Sequence, residues 1–306
     1  MTSPARYVSP LRYPGGKARM AAYLTEVFDR HCGPMDVEVW MEPFAGGAGA
    51  GLTLLASNTV EEVWLVEKNP ALAALWRAML HQGDELAATV STTIPDMNLW
   101  HQSKEILAQV ASSAQTFDDL TVGFAAFIVN RCSRSGIIAP NVGPIGGKNQ
   151  TGQWLIGARY NGPELASRIL TLHSWARAGR LNISEDDAID RITDLNISGI
   201  GDEVMLFVDP PYIREGNRLY AHGMTADDHQ RLADALNRCR SPWLLTYDDE
   251  PTVHETLYPE RRVMLFDIPN TANKARIATE LLVISDNLDV RFDLPPIPSG
   301  DAAWIA

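Results

Sequence analysis

Four consecutive residues, Asp209, Pro210, Pro211 and Tyr212, carry the strongest chemical signal in the chain. They follow five uninterrupted apolar residues, 204–208, a pattern that predicts a strand buried on both faces of a parallel sheet. The two prolines have no backbone N–H, so the ladder ends at Asp209. A carboxylate is thereby set at the carboxyl end of a central strand, where open α/β sheets bind ligands. An aromatic ring stands two stiff residues further on. Taken alone, the run equally fits a strand closed by a proline turn, with Asp209 as a helix cap. A second group is Glu42-Pro43-Phe44-Ala45-Gly46-Gly47-Ala48-Gly49. Its glycines let a ligand press on the backbone, and a helix after it would offer unpaired N–H groups. Glu67 closes the next apolar run, where an acid suits ribose hydroxyls, and Asn69 with Pro70 caps a helix. These features alone also fit a dinucleotide-dependent dehydrogenase. A third group, Tyr13-Pro14-Gly15-Gly16-Lys17, is a tight turn that leads a lysine into a helix. It lacks the GxxxxGK[ST] spacing of a phosphate-binding loop.

The elements that must position these groups follow in order. The helix after Lys17 is expected to run to about His31, with Met20, Tyr23, Leu24, Val27 and Phe28 on its buried face. Strands are expected at 37–41 and 63–66. From about 76 to 174 the α/β alternation breaks. Helices are expected at 100–110 and 117–131. A Gly- and Asn-rich stretch at 133–161 then reads as a hairpin or long loops, a length that is usually functional or disordered. Alternation resumes with a short strand at 181–183, which ends near Asp186 and Asp187, and a helix at 188–195. Thr225 caps a helix reaching Arg240, and the apolar run 243–247 is another buried strand, ending in Asp248 and Asp249. The runs 262–268 and 279–285 have no room for a crossover helix and are expected to pair antiparallel. The tail from Asp293, with Pro295, Pro296 and Pro298, reads as frayed. Residues 1–75 and 175–306 are therefore expected to form one domain, with 76–174 inserted as a mainly helical domain plus hairpin.

The chain has 306 residues, 45% apolar and 21% charged, the profile of an ordinary globular protein. No apolar window is long enough to span a membrane, and no basic-then-apolar leader pattern is visible at the start. The cysteines, Cys32, Cys132 and Cys239, are scattered, which points to a reducing compartment without disulfides. None forms a CxxC, and no histidine pair has zinc-ligand spacing, so no metal is expected. The net charge of −12 argues against a nucleic-acid partner, but its distribution does not. Residues 1–20 hold Arg6, Arg12, Lys17 and Arg19 with no acid. Residues 130–180 hold Arg131, Arg134, Lys148, Arg159, Arg168, Arg177 and Arg180 against Glu164 alone. An acidic body with two basic segments can still present a basic face.

With a glycine turn at one end and Asp-Pro-Pro-Tyr at the other, the sequence resembles the Dam-type, D12 class, DNA adenine-N6 methyltransferases. RYPGGK at 12–17 resembles that family's N-terminal motif, with Tyr13 where a tryptophan is usual. EPFAGGAG at 42–49 resembles its cofactor turn, and VEKN at 66–69 its ribose motif, with Glu67 where Asp is common. NRCSRSG at 130–136 and GARYN at 157–161 resemble pieces of its target-recognition hairpin. DPPY at 209–212 resembles its catalytic motif, and TELLV at 279–283 its last strand. In the family an aromatic follows the acid near Asp187; here Ala188 follows, and Asp186 and Asp187 are alternatives for the cofactor's adenine.

The resemblance implies an α/β, Rossmann-like S-adenosylmethionine-dependent methyltransferase sheet, mostly parallel with one antiparallel strand, carrying an inserted target-recognition domain. It implies methyl transfer to N6 of an adenine flipped out of double-stranded DNA. It further implies no metal, no membrane, a monomer or weak dimer, and the cytoplasm of a bacterium or phage-infected cell, with restriction–modification as one context. Asp209 and the Pro210 carbonyl would accept the two N6–H bonds, Pro211 would stiffen the corner, and Tyr212 would stack on the base. The cofactor residues would be Tyr13, Lys17, Phe44, Ala45, Gly46, Gly47, Gly49, Glu67, Asn69, Asp187 and Asp209. Phe44–Gly49 would cradle the methionine portion and Glu67 the ribose, with Lys17 on the methionine carboxylate or a phosphate. Arg131, Arg134 and Arg159 would contact DNA, and Asn130 would either join them or be structural. Three rivals remain. N4-cytosine methylation shares the chemistry, but that class more often has Ser where Asp209 stands. An NAD-dependent oxidoreductase leaves Asp-Pro-Pro-Tyr without a role. A non-catalytic DNA-binding protein leaves the intact acid and aromatic unexplained.

Overall fold

The computed structural model describes residues 8–13, 15–31, 37–200, 203–214, 223–270, 276–288, 296–297 and 300–305. In chain order the elements are α1 (Ala21–His31), β1 (Val39–Glu42), α2 (Gly49–Ala56), β2 (Glu62–Val66), α3 (Pro70–His81), α4 (Gly83–Thr92), α5 (Met97–Ala111) and α6 (Asp119–Cys132). They continue with α7 (Gly162–Arg177), β3 (Leu181–Ser184), α8 (Ala188–Ser198), β4 (Val204–Val208), α9 (Ala226–Asn237), β5 (Trp243–Asp248), β6 (Arg262–Asn270), β7 (Arg276–Ile284) and β8 (Ala302–Trp304). Residues 15–66 and 186 onward pack together as one unit, and 8–14 with 67–185 as another.

In the first unit, every residue of β4 is buried, as its unbroken apolar run requires. Among the described residues the strands of this unit form a mixed sheet in the order 2-1-4-5-7-6-8. β2, β1, β4 and β5 run parallel. β7 enters antiparallel beside β5, with Asp248 opposite Glu280, and pairs antiparallel with β6 along its whole length. β7 is the expected antiparallel strand, and β8 adds a second on the edge of β6. β8 has no apolar alternation and is exposed throughout, so it left no period to read. One face of the sheet buries Met41, Leu206, Val208, Leu245 and Val283 against Ile189 and Ile192 of α8 and Leu232 and Leu236 of α9. Local chemistry sets the helix starts. Asp187 accepts from the Ile189 N–H (2.9 Å) and so caps α8. Thr225 and Asp228 form a reciprocal capping box on α9. On α1, Met20 before it and Tyr23, Leu24, Val27 and Phe28 within it are all buried.

The second unit is largely helical. Asn69 caps α3 by accepting from Ala71 and Leu72, with Pro70 at the first helical position. Gly123 lets α6 approach α3: a Cβ there would lie 2.7 Å from the Ala78 Cβ. Residues 133–161 take the loop alternative. Ser133 and Pro144 form one isolated antiparallel bridge, and the described residues show no strand ladder. Gly136, Gly146, Gly147 and Gln150 all have positive φ, which interrupts an extended ladder. Cys32, Pro14, Asp293, Pro295 and Pro298 lie outside the described residues.

Candidate active site

The end of β4 delivers Asp209 as its prolines predict, and its carboxylate meets a buried lysine. Lys17, 3% exposed, sits in the short 3-10 turn before α1. Its Nζ donates to both Asp209 oxygens (2.8 and 2.9 Å), to the Tyr212 hydroxyl (2.9 Å) and to the Gly15 carbonyl (2.9 Å). Nζ also lies 5.2 Å from the Tyr212 ring centroid. Thr246 of β5 donates its hydroxyl to Asp209 Oδ1 at 2.6 Å. A second acid, Glu280 of β7, lies 3.6 Å from Lys17 Nζ and is 6% exposed. Burial and the nearby Asp209 push its carboxyl up against the pull of Lys17. Because β7 runs antiparallel, its first half lies at the same end of the sheet as the carboxyl termini of β4 and β5. The chain beyond Tyr212 is held by Asp248, which accepts the backbone N–H groups of Ile213 (3.1 Å) and Arg214 (3.0 Å). Behind Tyr212 stands Tyr247, 6.4 Å away ring to ring, whose hydroxyl meets His229 Nδ1 at 2.7 Å.

The glycine turn follows β1 in the same unit. Ala45 donates to the Val66 carbonyl at 3.0 Å, which ties the turn to β2. Gly46 and Ala48 both have φ near +48°, so the turn is left-handed at two points. No side chain caps α2. Glu42, fully buried at the end of β1, accepts the Gly51 N–H and the Trp40 indole N–H. Desolvation pushes its carboxyl up to about 7 against those two bonds. A Cβ on Gly51 would lie 2.7 Å from Glu42 Oε1, so that site needs glycine. Small residues, a left-handed backbone and an uncapped helix start suit an anionic group of a ligand.

In the second unit, Glu67 is half-buried and accepts the Asn69 N–H at 2.9 Å. Tyr13 is half-buried as well. Asn130, 1% exposed, accepts the Arg12 N–H (2.9 Å) and donates to the carbonyls of Arg12 (2.8 Å) and Gly136 (2.5 Å). These bonds make it a structural clamp. Arg131 donates to the carbonyls of Arg159 and Pro10, and burial lowers its guanidinium to about 10. Arg134 and Arg159 are exposed. With Arg12 they line a pocket of about 520 Å³ that also takes in Gly146, Gln153 and Trp154. Trp154 is 64% exposed, a flat apolar surface beside three guanidinium groups.

Residues 13–122 match the D12 class N6 adenine-specific DNA methyltransferase family. The resemblance read from the motifs is borne out over that span. The match favours an adenine-N6 DNA methyltransferase over the cytosine, oxidoreductase and non-catalytic alternatives, and the family acts on DNA. No curated protein matches the sequence. A solved structure described as a putative methyltransferase yhhF from Escherichia coli is 11% identical, covering 86% of this chain and 85% of that one. Its TM-score is 0.31, a likeness that carries no argument. Among the described residues no His, Cys, Asp and Glu group is arranged to hold a metal ion, and no helix is long and apolar enough to cross a membrane.

Of the motif residues, the structure brings Lys17, Asp209 and Tyr212 into direct contact. Phe44, Ala45, Gly46, Gly47 and Gly49 share the turn into α2. Asp187 caps a helix with its carboxylate, and Asp186 is exposed. Sequence reasoning passed over Thr246, Asp248, Glu280 and Trp154. The first two had a usable signal, since they close a buried parallel strand at the end where ligands bind.

Proposed function

We propose that this DNA methyltransferase moves the methyl group of S-adenosylmethionine to N6 of an adenine flipped out of double-stranded DNA. The observation that carries the reading is the Asp209 carboxylate at the end of β4, ionically held by Lys17, whose Nζ also lies over the Tyr212 ring. The donor, held by this chain's turn residues, would supply an electrophilic methyl on a sulfonium, which would leave as a neutral thioether when N6 takes the methyl. The adenine amine is a poor nucleophile because its lone pair is delocalised into the ring. The task of this chain is alignment and a polar site that draws the lone pair back to N6. Asp209 and the Pro210 carbonyl are suited to accept the two N6–H groups, and Pro211 fixes the direction of that carbonyl. Flipping costs a few kcal/mol, and stacking on Tyr212 would return roughly 1–3 kcal/mol.

The methionine end of the donor is assigned to the turn Phe44–Gly49, and the motifs assign its ribose to Glu67 and further donor contacts to Asn69, Tyr13 and Asp187. Lys17 is given a different emphasis from the motif-based reading: its bonds to Asp209 make it the counter-ion of the base-binding acid. Arg134 and Arg159 are assigned to DNA, where arginine can read guanine bidentately or neutralise phosphate. The chain acts in the cytoplasm as a monomer or weak dimer, with restriction–modification as a context. The test is incubation with tritiated S-adenosylmethionine and duplex DNA, followed by nucleoside chromatography. Label in N6-methyladenine supports the reading, whereas label in N4-methylcytosine, or none, refutes it.

A further inference from the structure

Methyl transfer leaves N6 with one proton too many, and Asp209 must be ionised again before the next turnover. The site around Lys17 has room for that proton. Lys17 is one cation shared by two carboxylates, Asp209 at 2.8 Å and Glu280 at 3.6 Å. Ionised, the three carry a net charge of −1, so the uptake of one proton makes them neutral. The two acids differ in surroundings. The Asp209 side chain is 26% exposed and is already bonded by Thr246, whereas that of Glu280 is 8% exposed. Glu280 Oε2 is buried without a geometric hydrogen bond, while Tyr212 and Lys17 act on the carboxyl as side-chain donors. Burial favours the neutral form of such a carboxyl. The other titratable groups near the cluster are Tyr212 beside Lys17, Asp248 across the ladder on β5, and Asp267 on β6, next to Thr279. Glu42 acts on both Asp209 and Lys17 through its charge.

We propose that Glu280 takes up the proton released by N6, passed to it across Lys17. Asp209 accepts the proton from N6. Lys17 gives one of its own protons to Glu280 and is reprotonated by Asp209. Asp209 and Lys17 end as they began, and Glu280 is left neutral until the proton returns to water by the same route. Glu280 acts through Lys17 and positions the proton rather than the base. The inference rests on the methyl transfer proposed above.

The test uses Glu280→Gln, which keeps shape and an acceptor oxygen for Lys17 but cannot be protonated. Steady-state methylation over repeated turnovers near neutral pH should fall roughly 10²-fold, with donor and DNA binding unchanged. The acid limb of the rate–pH profile should move. A readout without donor or DNA is carbon-13 NMR of enzyme labelled at the glutamate carboxyls. Two glutamates, Glu42 and Glu280, should titrate above the ordinary range, and only the Glu280 signal should vanish in Glu280→Gln. A Glu280→Gln enzyme with the wild-type rate and profile overturns the relay. So does a slower enzyme whose profile is unmoved, because a purely structural role would give that result. A wild-type enzyme that leaves adenine unmethylated refutes the parent reading and the relay together.

Discussion

Replacing Lys17 by Met tests the electrostatic account of the site most severely. Met preserves most of the stem volume and removes the charge. Nζ lies 2.8 Å from Asp209 and 3.6 Å from Glu280. At an effective dielectric of about 20, each attraction is worth about 5 kcal/mol. Desolvation of the lysine offsets much of this, and measured losses on removing one partner of a buried pair are about 3–5 kcal/mol. A loss of that size is expected in urea unfolding at pH 8. The pH dependence follows from Glu280, whose carboxyl titrates above the ordinary 4.5, chiefly through burial, with Lys17 opposing. A carboxyl raised in the fold favours folding while protonated. It costs stability as pH climbs through the unfolded value toward the folded one. Without Lys17 the folded value rises further, so the deficit of the variant should deepen from pH 5 to pH 8. Adding Glu280→Gln should recover part of it. A loss under about 1 kcal/mol at pH 8, or one that grows toward acid, would refute the reasoning.

Asp209→Ala should retain the fold and donor binding, measured by calorimetry, while methylation of adenine is lost; undiminished turnover would remove Asp209 from the chemistry. Glu42, held near 7 by burial, costs stability as pH rises from 4.5 to 7. Glu42→Gln should therefore melt above wild type at pH 8, by up to about 3 kcal/mol, and equal it near pH 4.5. Charge reversal of Arg134 and Arg159 should weaken DNA binding and lower the salt slope by about 0.9 for each phosphate left unneutralised. Arg131→Ala should instead lower thermal stability, because its donors hold the carbonyls of Arg159 and Pro10.

What the sequence made legible was local. The buried run into Asp209, the caps at Asn69 and Thr225, and the antiparallel pair β6–β7 each rest on neighbours a few residues apart. The Lys17–Asp209 pair spans 192 residues and leaves no local trace. Glu280 was hidden for another reason. A glutamate near the start of a strand reads as a solvent-facing residue, and only the reversed direction of β7 brings it to the ligand end of the sheet. In the basic segment, charge was visible but use was not. Arg131 and Arg134 are three residues apart, yet one is spent on backbone carbonyls and the other faces a pocket. The loop from Ser133 was readable as Gly- and Asn-rich, but positive φ at Gly136, Gly146 and Gly147 decided against a ladder.

The same long separation has a consequence for biosynthesis. At about 5–20 residues added per second, Lys17 waits roughly 10–40 s before Asp209 has been made. β1 waits almost as long for its neighbour, since Val39 pairs with Val204. During that interval β1 and β2 can pair, but the other edge of β1, apolar and destined for burial on both faces, has no strand beside it. Such an edge is a template for wrong pairing. Nascent chains stalled between residues 66 and 204 should therefore be the species that holdase chaperones capture, and release should follow once β4 clears the exit tunnel.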